Sequence, residues 1–178
     1  MLPARLAKLA KLALPFLLAA ALVPGAVGAK ESDRNQPMSI DAGGQSGSIN
    51  GTGKTLLSGG VIIVQGTMEL RSSEGELYMN DGEIVRAVFI GKQAHLKQQL
   101  DDGTWMNATA DRIDYDIRAE TLTLTGNYKV DSERGSNAGQ RMVYNTRTGD
   151  MQSGGDGTRV RTVIQPKNKA PATAGEKK

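Results

Sequence analysis

Strict alternation is the feature that most constrains what this chain can fold into. Across residues 113–130, IDYDIRAETLTLTGNYKV, apolar and polar side chains change places almost without error. Ile113, Tyr115 and Ile117 share one side, and Asp114, Asp116 and Arg118 take the other. The pattern resumes at Leu122 and Leu124, breaks at Gly126-Asn127, and resumes with Tyr128 and Val130. A period of two belongs to strands, whose successive side chains face opposite ways. Three half-buried antiparallel strands in a row are therefore predicted here, with one apolar wall and one wet wall.

The rest of the chain carries the same signal. Residues 38–41 alternate after Pro37, residues 42–55 read as a Gly, Ser and Asn-rich turn with weak strand character, and residues 61–64 are β-branched throughout. Met68 and Leu70 alternate with Glu69 and Arg71, while residues 72–83 are polar around Leu77-Tyr78-Met79. Strands are predicted over 84–90 and 94–98 with a break at Gly91, then over 140–145, 150–153 and 158–164. Asp81-Gly82 and Asp102-Gly103 are hairpin turns. With 22 glycines recurring at turns and no sustained helical period beyond residue 29, the chain is predicted to be all-β. Arg112-Ile113-x-Tyr115-x-x-Arg118 returns as Arg141-Met142-x-Tyr144-x-x-Arg147, and a Ser/Thr-Gly-Gly/Asn element ends strands at Ser58, Thr125 and Ser153. Such a repeat suits a sheet that stacks on itself, a roll or a solenoid.

Residues 1–29 stand apart. A basic start (Arg5, Lys8, Lys11), an apolar run over 12–23 and small residues at Val27-Gly28-Ala29 make a cleavable signal peptide, the run being short for a membrane span. Residues 30–36 read as a loose polar arm and residues 166–178 as a disordered Lys-rich tail, leaving 30–165 as the folded domain. Without the leader the 22 basic residues fall to 19, level with the 19 acidic ones. A nucleic-acid partner would need positive charge on the fold, so none is expected. The absence of cysteine leaves neither disulfides nor a lipoprotein attachment point, and a soluble protein outside the cytoplasm is expected.

Catalytic chemistry finds little to work with. One histidine, His95, and no cysteine exclude Cys-His catalysis and multi-histidine metal sites. Asp114 and Asp116 share a strand face and could mimic a glycosidase pair, but that face is the polar one. Gly51-Thr52-Gly53-Lys54-Thr55 has Ser48 where a phosphate loop needs glycine, and a strand follows it instead of a helix. What remains is the apolar wall: Val61, Ile63, Met68, Leu70, Val88, Ile90, Leu96, Ile113, Ile117, Leu122, Leu124 and Val130, with Phe89, Trp105, Tyr115, Tyr128 and Tyr144 turned inward. Alternation alone fits either a closed core or a curved groove open to hydrocarbon chains.

Four blocks carry a family resemblance: Gln36-Pro37-Met38-Ser39-Ile40, Ser58-Gly59-Gly60-Val61 running on to Val64-Gln65-Gly66-Thr67, Gly91-Lys92-Gln93-Ala94, and Ala110-Asp111-Arg112-Ile113-x-Tyr115. In order and spacing the chain closely resembles the OstA-like family of periplasmic lipopolysaccharide-transport proteins. The resemblance implies an antiparallel β-jellyroll, an open V-shaped roll of about sixteen short strands. It implies no enzymatic activity and no cofactor, and the residue inventory points to no metal. It implies acyl-chain contacts at Met38, Ile40, Leu96, Tyr115 and Ile117, on an apolar face that also offers Ile63, Met68, Leu70, Ile113, Leu122 and Leu124. As partners it implies lipopolysaccharide, an LptC-like component of the inner membrane, an LptD-like translocon of the outer membrane, and further copies of the chain. Copies would join head to tail by strand pairing, through Met38, Ser39 and Ile40 at one edge and Val160, Thr162 and Ile164 at the other. Leu96 stands where the family often has an aromatic residue, residues 72–80 match poorly, and residues 42–54 are unusually rich in glycine. The alternative reading is a structural β-solenoid that mediates contacts and carries no lipid.

Overall fold

The structure is a computed structural model that describes residues 31–48 and 50–166. The expected signal peptide and residues 167–178 of the expected tail lie outside the described residues. Ten strands form one sheet: β1 (Met38–Ser46), β2 (Gly53–Gln65), β3 (Met68–Ser72), β4 (Glu74–Asn80), β5 (Glu83–Gln99), β6 (Trp105–Asp116), β7 (Thr121–Ser132), β8 (Gly135–Asn145), β9 (Met151–Ser153) and β10 (Arg161–Ile164). Every pairing is antiparallel, and apart from β3/β4 and β9/β10 each strand lies beside its neighbour in sequence. β3 and β4 act as one broken strand, pairing with opposite halves of β2 and of β5. β9 and β10 likewise share β8.

One line of bends crosses the whole sheet. The register shifts at Ala42/Gly44 in β1, between Ile90 and Ala94 in β5, between Thr109 and Arg112 in β6, and between Thr125 and Tyr128 in β7. Positive φ angles mark the same line: Gly59 at 75°, Gly60 at 85°, Gln93 at 84°, Gly126 at 79°, Asn127 at 45° and Gly154 at 81°. Each bulge adds a residue to one strand and bends it, and aligned bulges fold the sheet into two leaves. The first leaf holds β3, β10, the N-terminal half of β1, the C-terminal half of β2 and the segments of β5 to β8 near residues 94–110 and 128–139. The second holds β4, β9 and the remaining halves.

This line corrects several expectations. Ser58-Gly59-Gly60 and Thr125-Gly126-Asn127 do not end strands; they bend β2 and β7 and let them continue. Residues 113–130 are accordingly the end of β6 and most of β7, two strands rather than three. Gly91 likewise bends a single 17-residue strand instead of separating two. Among the described residues ten strands, several of them long and bent, therefore do the work of the expected sixteen. β1 runs on to Ser46, into a stretch whose strand character reads as weak, and β4 fills residues 74–80, in a stretch read as polar. The expected loose arm is a short 3-10 turn, Glu31–Asn35, whose buried Asp33 accepts a hydrogen bond from Thr67 Oγ1.

Directly opposed residues share a face, so the register defines inward rows. On the first leaf Ile40, Ile63, Leu70, Leu96, Ala108, Val130, Asn137 and Thr162 follow one another across the sheet. On the second, Leu57, Gly75, Phe89, Ile113, Leu124, Met142 and Ser153 form the row nearest the bend, and Leu77, Ala87, Tyr115, Leu122 and Tyr144 lie one step further out. Residues of both leaves meet in a single buried cluster, so the leaves face each other. Next to the bend the packing is complete: Val61, Ile113, Leu124 and Tyr128 are almost fully buried.

The bend depends on close backbone approach. A Cβ added at Gly43 would stand 2.7 Å from the Gly59 carbonyl oxygen, where no side chain can give way. Gly43→Ala is expected to lower stability by about 1–3 kcal/mol, read as a lower midpoint in urea unfolding.

Candidate functional site

Away from the bend the leaves separate, and a cleft of about 560 Å³ opens between them. The first leaf contributes Met38, Ile63, Gln65, Met68, Leu70, Leu96 and Gln98. The second contributes Leu77, Ala87, Phe89, Ile113, Tyr115 and Leu122, with Glu83, Ile84, Ile117, Glu120 and Thr146 towards the strand ends. The floor is aliphatic and aromatic, and the polar lining residues sit at the ends of the strands, where the chain turns. That distribution offers hydrocarbon-like surroundings inside and water outside, with size and apolarity typical of a ligand site.

Of the predicted apolar-contact residues, Met38, Ile63, Met68, Leu70, Leu96, Ile113, Tyr115, Ile117 and Leu122 are thus brought together around one cleft. Two are not among its lining residues. Leu124 is 1% exposed and packs behind the cleft next to the bend. Ile40 lies on the inward face opposite Ile63 but is 37% exposed, because β1 is an edge strand with a neighbour on one side only. Sequence reasoning passed over Leu77, Ala87 and Ile84; the alternation Leu77-Tyr78-Met79 was the available signal, hidden by the polar residues around it.

Three expected inward residues face out. Trp105 is 40% exposed, with the Lys97 ammonium 4.6 Å from its ring centre. Val88 and Ile90 alternate with the inward Ala87 and Phe89 and so belong to the outer face, where Val88 is covered and Ile90 stays 37% exposed. His95 is exposed, as expected for a surface residue.

The outer face of the second leaf is ionic. Arg86 donates from Nε and Nη2 to Asp114 Oδ1 and Oδ2 at 2.8 and 2.6 Å, and Arg112 Nη2 adds a contact of 3.2 Å. Beside it Glu76 accepts from Lys54 at 2.9 Å and from the Tyr78 hydroxyl at 2.7 Å. The hydrogen bonds from Arg86 hold the Asp114 carboxyl below the usual carboxylate range. Asp114 is therefore the shared ionic partner of Arg86 and Arg112. Asp116 receives the Ala119 N–H at 2.9 Å and shapes the turn into β7. The described residues hold no cluster of three or more acidic or imidazole groups suited to a metal ion.

Both ends of the sheet are open edges among the described residues. β1 pairs only with β2, while β9 and β10 pair only with β8. Met38, Ser39 and Ile40 lie on the first edge, and Thr162 and Ile164 on the second, Ile164 being 81% exposed. Val160 falls just before β10, so the last strand is shorter than the predicted 158–164.

An all-antiparallel sheet rolled about one apolar cleft is a β-jellyroll. The chain matches the family of the LptA/(LptD N-terminal domain) LPS transport protein over residues 40–150. It is 29% identical to the lipopolysaccharide export system protein LptA of Escherichia coli K12, across 94% of this chain and 96% of that one. The LptA of Haemophilus influenzae is 26% identical, covering 85% and 90% of the two chains. The crystal structure of LptH, the LptA-homologous periplasmic component of the lipopolysaccharide transport device of Pseudomonas aeruginosa, superimposes with a TM-score of 0.67 at 25% identity, covering 76% of this chain and 99% of that one. The chain belongs to this family and is an LptA-like lipopolysaccharide-transport protein.

The Asp114 pairing carries a pH dependence. A carboxylate whose folded pKa is depressed stabilises the fold above its unfolded value of about 4 and loses that contribution as pH falls through the folded value. Asp114→Asn is expected to be less stable than the native chain at neutral pH, with the gap closing below about pH 4. Thermal melts at stepped pH measure it.

Proposed function

We propose that this protein is a non-enzymatic periplasmic carrier, exported by its signal peptide, that shields the acyl chains of lipopolysaccharide in the cleft while the sugars stay in water. The apolar cleft between the two leaves carries this reading. Each methylene removed from water contributes about 0.8 kcal/mol, so several acyl chains bind without any catalytic group or cofactor. Met68, Leu70, Leu96, Tyr115, Ile117 and Leu122 form the contact surface, with Met38 and Ile40 at the mouth nearest β1.

The two open edges support the second half of the proposal. Unpaired strands invite β-augmentation, and natural sheets otherwise shield them. Copies join head to tail, the β10 edge of one against the β1 edge of the next. The same edges meet an LptC-like partner at the inner membrane and an LptD-like translocon at the outer membrane, making a bridge for lipopolysaccharide export. The known relatives, named as lipopolysaccharide export and transport components, agree with this reading. The solenoid alternative, with a filled core and no cargo, has no comparable observation in its favour.

A photo-crosslinking residue at Ile117 or Tyr115 is expected to capture lipopolysaccharide, and the same residue at outward-facing Asp116 is not; equal capture at all three would count against the cleft. Native mass spectrometry of the purified protein is expected to show bound lipid. For assembly, Ile164→Asp is expected to shift light-scattering mass at high concentration towards the monomer, and an unchanged mass would remove the edge-pairing part of the proposal.

A further inference from the structure

The two open edges of the sheet are complementary. The path from β1 to β10 crosses eight strands, each antiparallel to the last, so its two end strands run in opposite directions. A second copy set beyond β10 in the same orientation therefore brings its β1 alongside in the antiparallel sense. Three rows of directly opposed residues reach from edge to edge: Ser39 to Val163 and Asp41 to Arg161 on the outer face, and Ile40 to Thr162 on the inner. Continued straight into the next copy, these rows set Val163 against Ser39, Thr162 against Ile40 and Arg161 against Asp41, with Ile164 against Met38.

Charge and backbone agree with that register. Asp41 and Arg161 are both exposed, and neither side chain forms an ion pair or hydrogen bond among the described residues. The Gln165 N–H donates to the Arg134 carbonyl at the end of the β8 ladder. By alternation Arg161 and Val163 also turn their backbone groups to β8, while Thr162 and Ile164 turn theirs to the open edge. Thr162 and Ile164 then carry the hydrogen bonds to the next copy. Arg161 and Val163 fall in the non-hydrogen-bonded pairs, where opposed side chains stand closest. Other registers lose contacts. Sliding β10 by two residues one way carries Ile164 past Met38, the first residue of β1, and sliding it the other way carries Arg161 into the bulge between Ala42 and Gly44. Pairing like edges brings Arg161 beside Arg161, or Asp41 beside Asp41, and like charges repel.

We infer that Asp41 and Arg161 form an ion pair across the junction between copies, fixing both its register and its head-to-tail sense. This rests on the proposed head-to-tail assembly and names the residues that select it. A junction of unlike edges leaves one edge of each kind free at the ends, so copies add in a row instead of closing into a symmetric pair.

The chain has no cysteine, so paired substitutions read the register directly. On mild oxidation, the purified chain carrying Ser39→Cys and Val163→Cys is expected to give a ladder of disulfide-linked oligomers in non-reducing electrophoresis. Ser39→Cys with Gln165→Cys, the register offset by two residues, is expected to stay mostly monomeric. Adding Arg161→Asp to the first pair is expected to slow ladder formation by about fivefold, and adding Asp41→Arg as well is expected to restore it. Circular dichroism reports whether each variant is folded. A ladder from the offset pair as strong as that from the first would overturn the register, and a rate indifferent to Arg161→Asp would overturn the ion pair. No ladder from the first pair would overturn the register if the native chain associates in light scattering. If the native chain instead stays monomeric there, the head-to-tail reading itself falls.

Discussion

The bend line is the constraint on which everything else in this molecule depends. A sheet can fold along one line only if every strand yields at the same register, and at each crossing the regular ladder is interrupted. The interrupted groups must find partners or water. Here a polar string along the bend provides them. Asn127 donates from Nδ2 to Asp111 at 3.1 Å, its backbone N–H meets Gln140 Oε1 at 3.2 Å, Gln140 Nε2 returns to Asn127 Oδ1 at 3.0 Å, and Gln93 reaches the Asn127 carbonyl at 3.3 Å. Gly126 belongs to the same device, since a Cβ there would collide with the Asp111 side chain. Without this line the sheet would present one open apolar face; with it, the two leaves enclose that face.

Packing and opening are then two regions of one wedge. Close to the bend the leaves touch, and Leu57, Val61, Ile113 and Leu124 fill the angle as an ordinary core. Further out the same inward rows stand too far apart to fill one another, and the cleft begins. Position along a strand therefore decides whether an apolar residue stabilises the fold or lines the site. Ile113 does both, because it stands at the boundary. The outer face is separated from this by the pleat, so the Arg86–Asp114 pairing adds order to the second leaf without placing charge inside it.

Much of this was legible in the sequence, and the gaps have physical causes. Alternation gave the all-β class and the inward side of Tyr115, Ile117 and Leu122, since a period of two is insensitive to what the strand does over longer distances. The same insensitivity hid the bends: Gly126-Asn127 and Gly91 look like strand ends, and only the neighbouring strands show that pairing resumes beyond them. The outward turn of Val88 and Ile90 was lost in an unbroken apolar run, where alternation has no contrast to register. Leu124 could not be told from Leu122, because the distance from the bend is a property of the folded sheet alone. The bonding of buried Asn137 was equally hidden, its partners Tyr128, Ser153 and Thr162 lying 9, 16 and 25 residues away.

The meander order has a consequence for how the molecule breathes. Strands are held by others close to them in sequence, so structure is gained or lost in short steps from either end, as in a linear array of repeats. β5, β6 and β7 each have a strand on both sides, whereas β1 and β10 have one. Amide exchange with solvent should therefore be slowest in the middle three strands and graded outward, with β9 and β10, three and four residues long, the first to fray. The surfaces best placed to meet another chain are thus also those that cost least to loosen, so a docking partner would find its strand already part-time free.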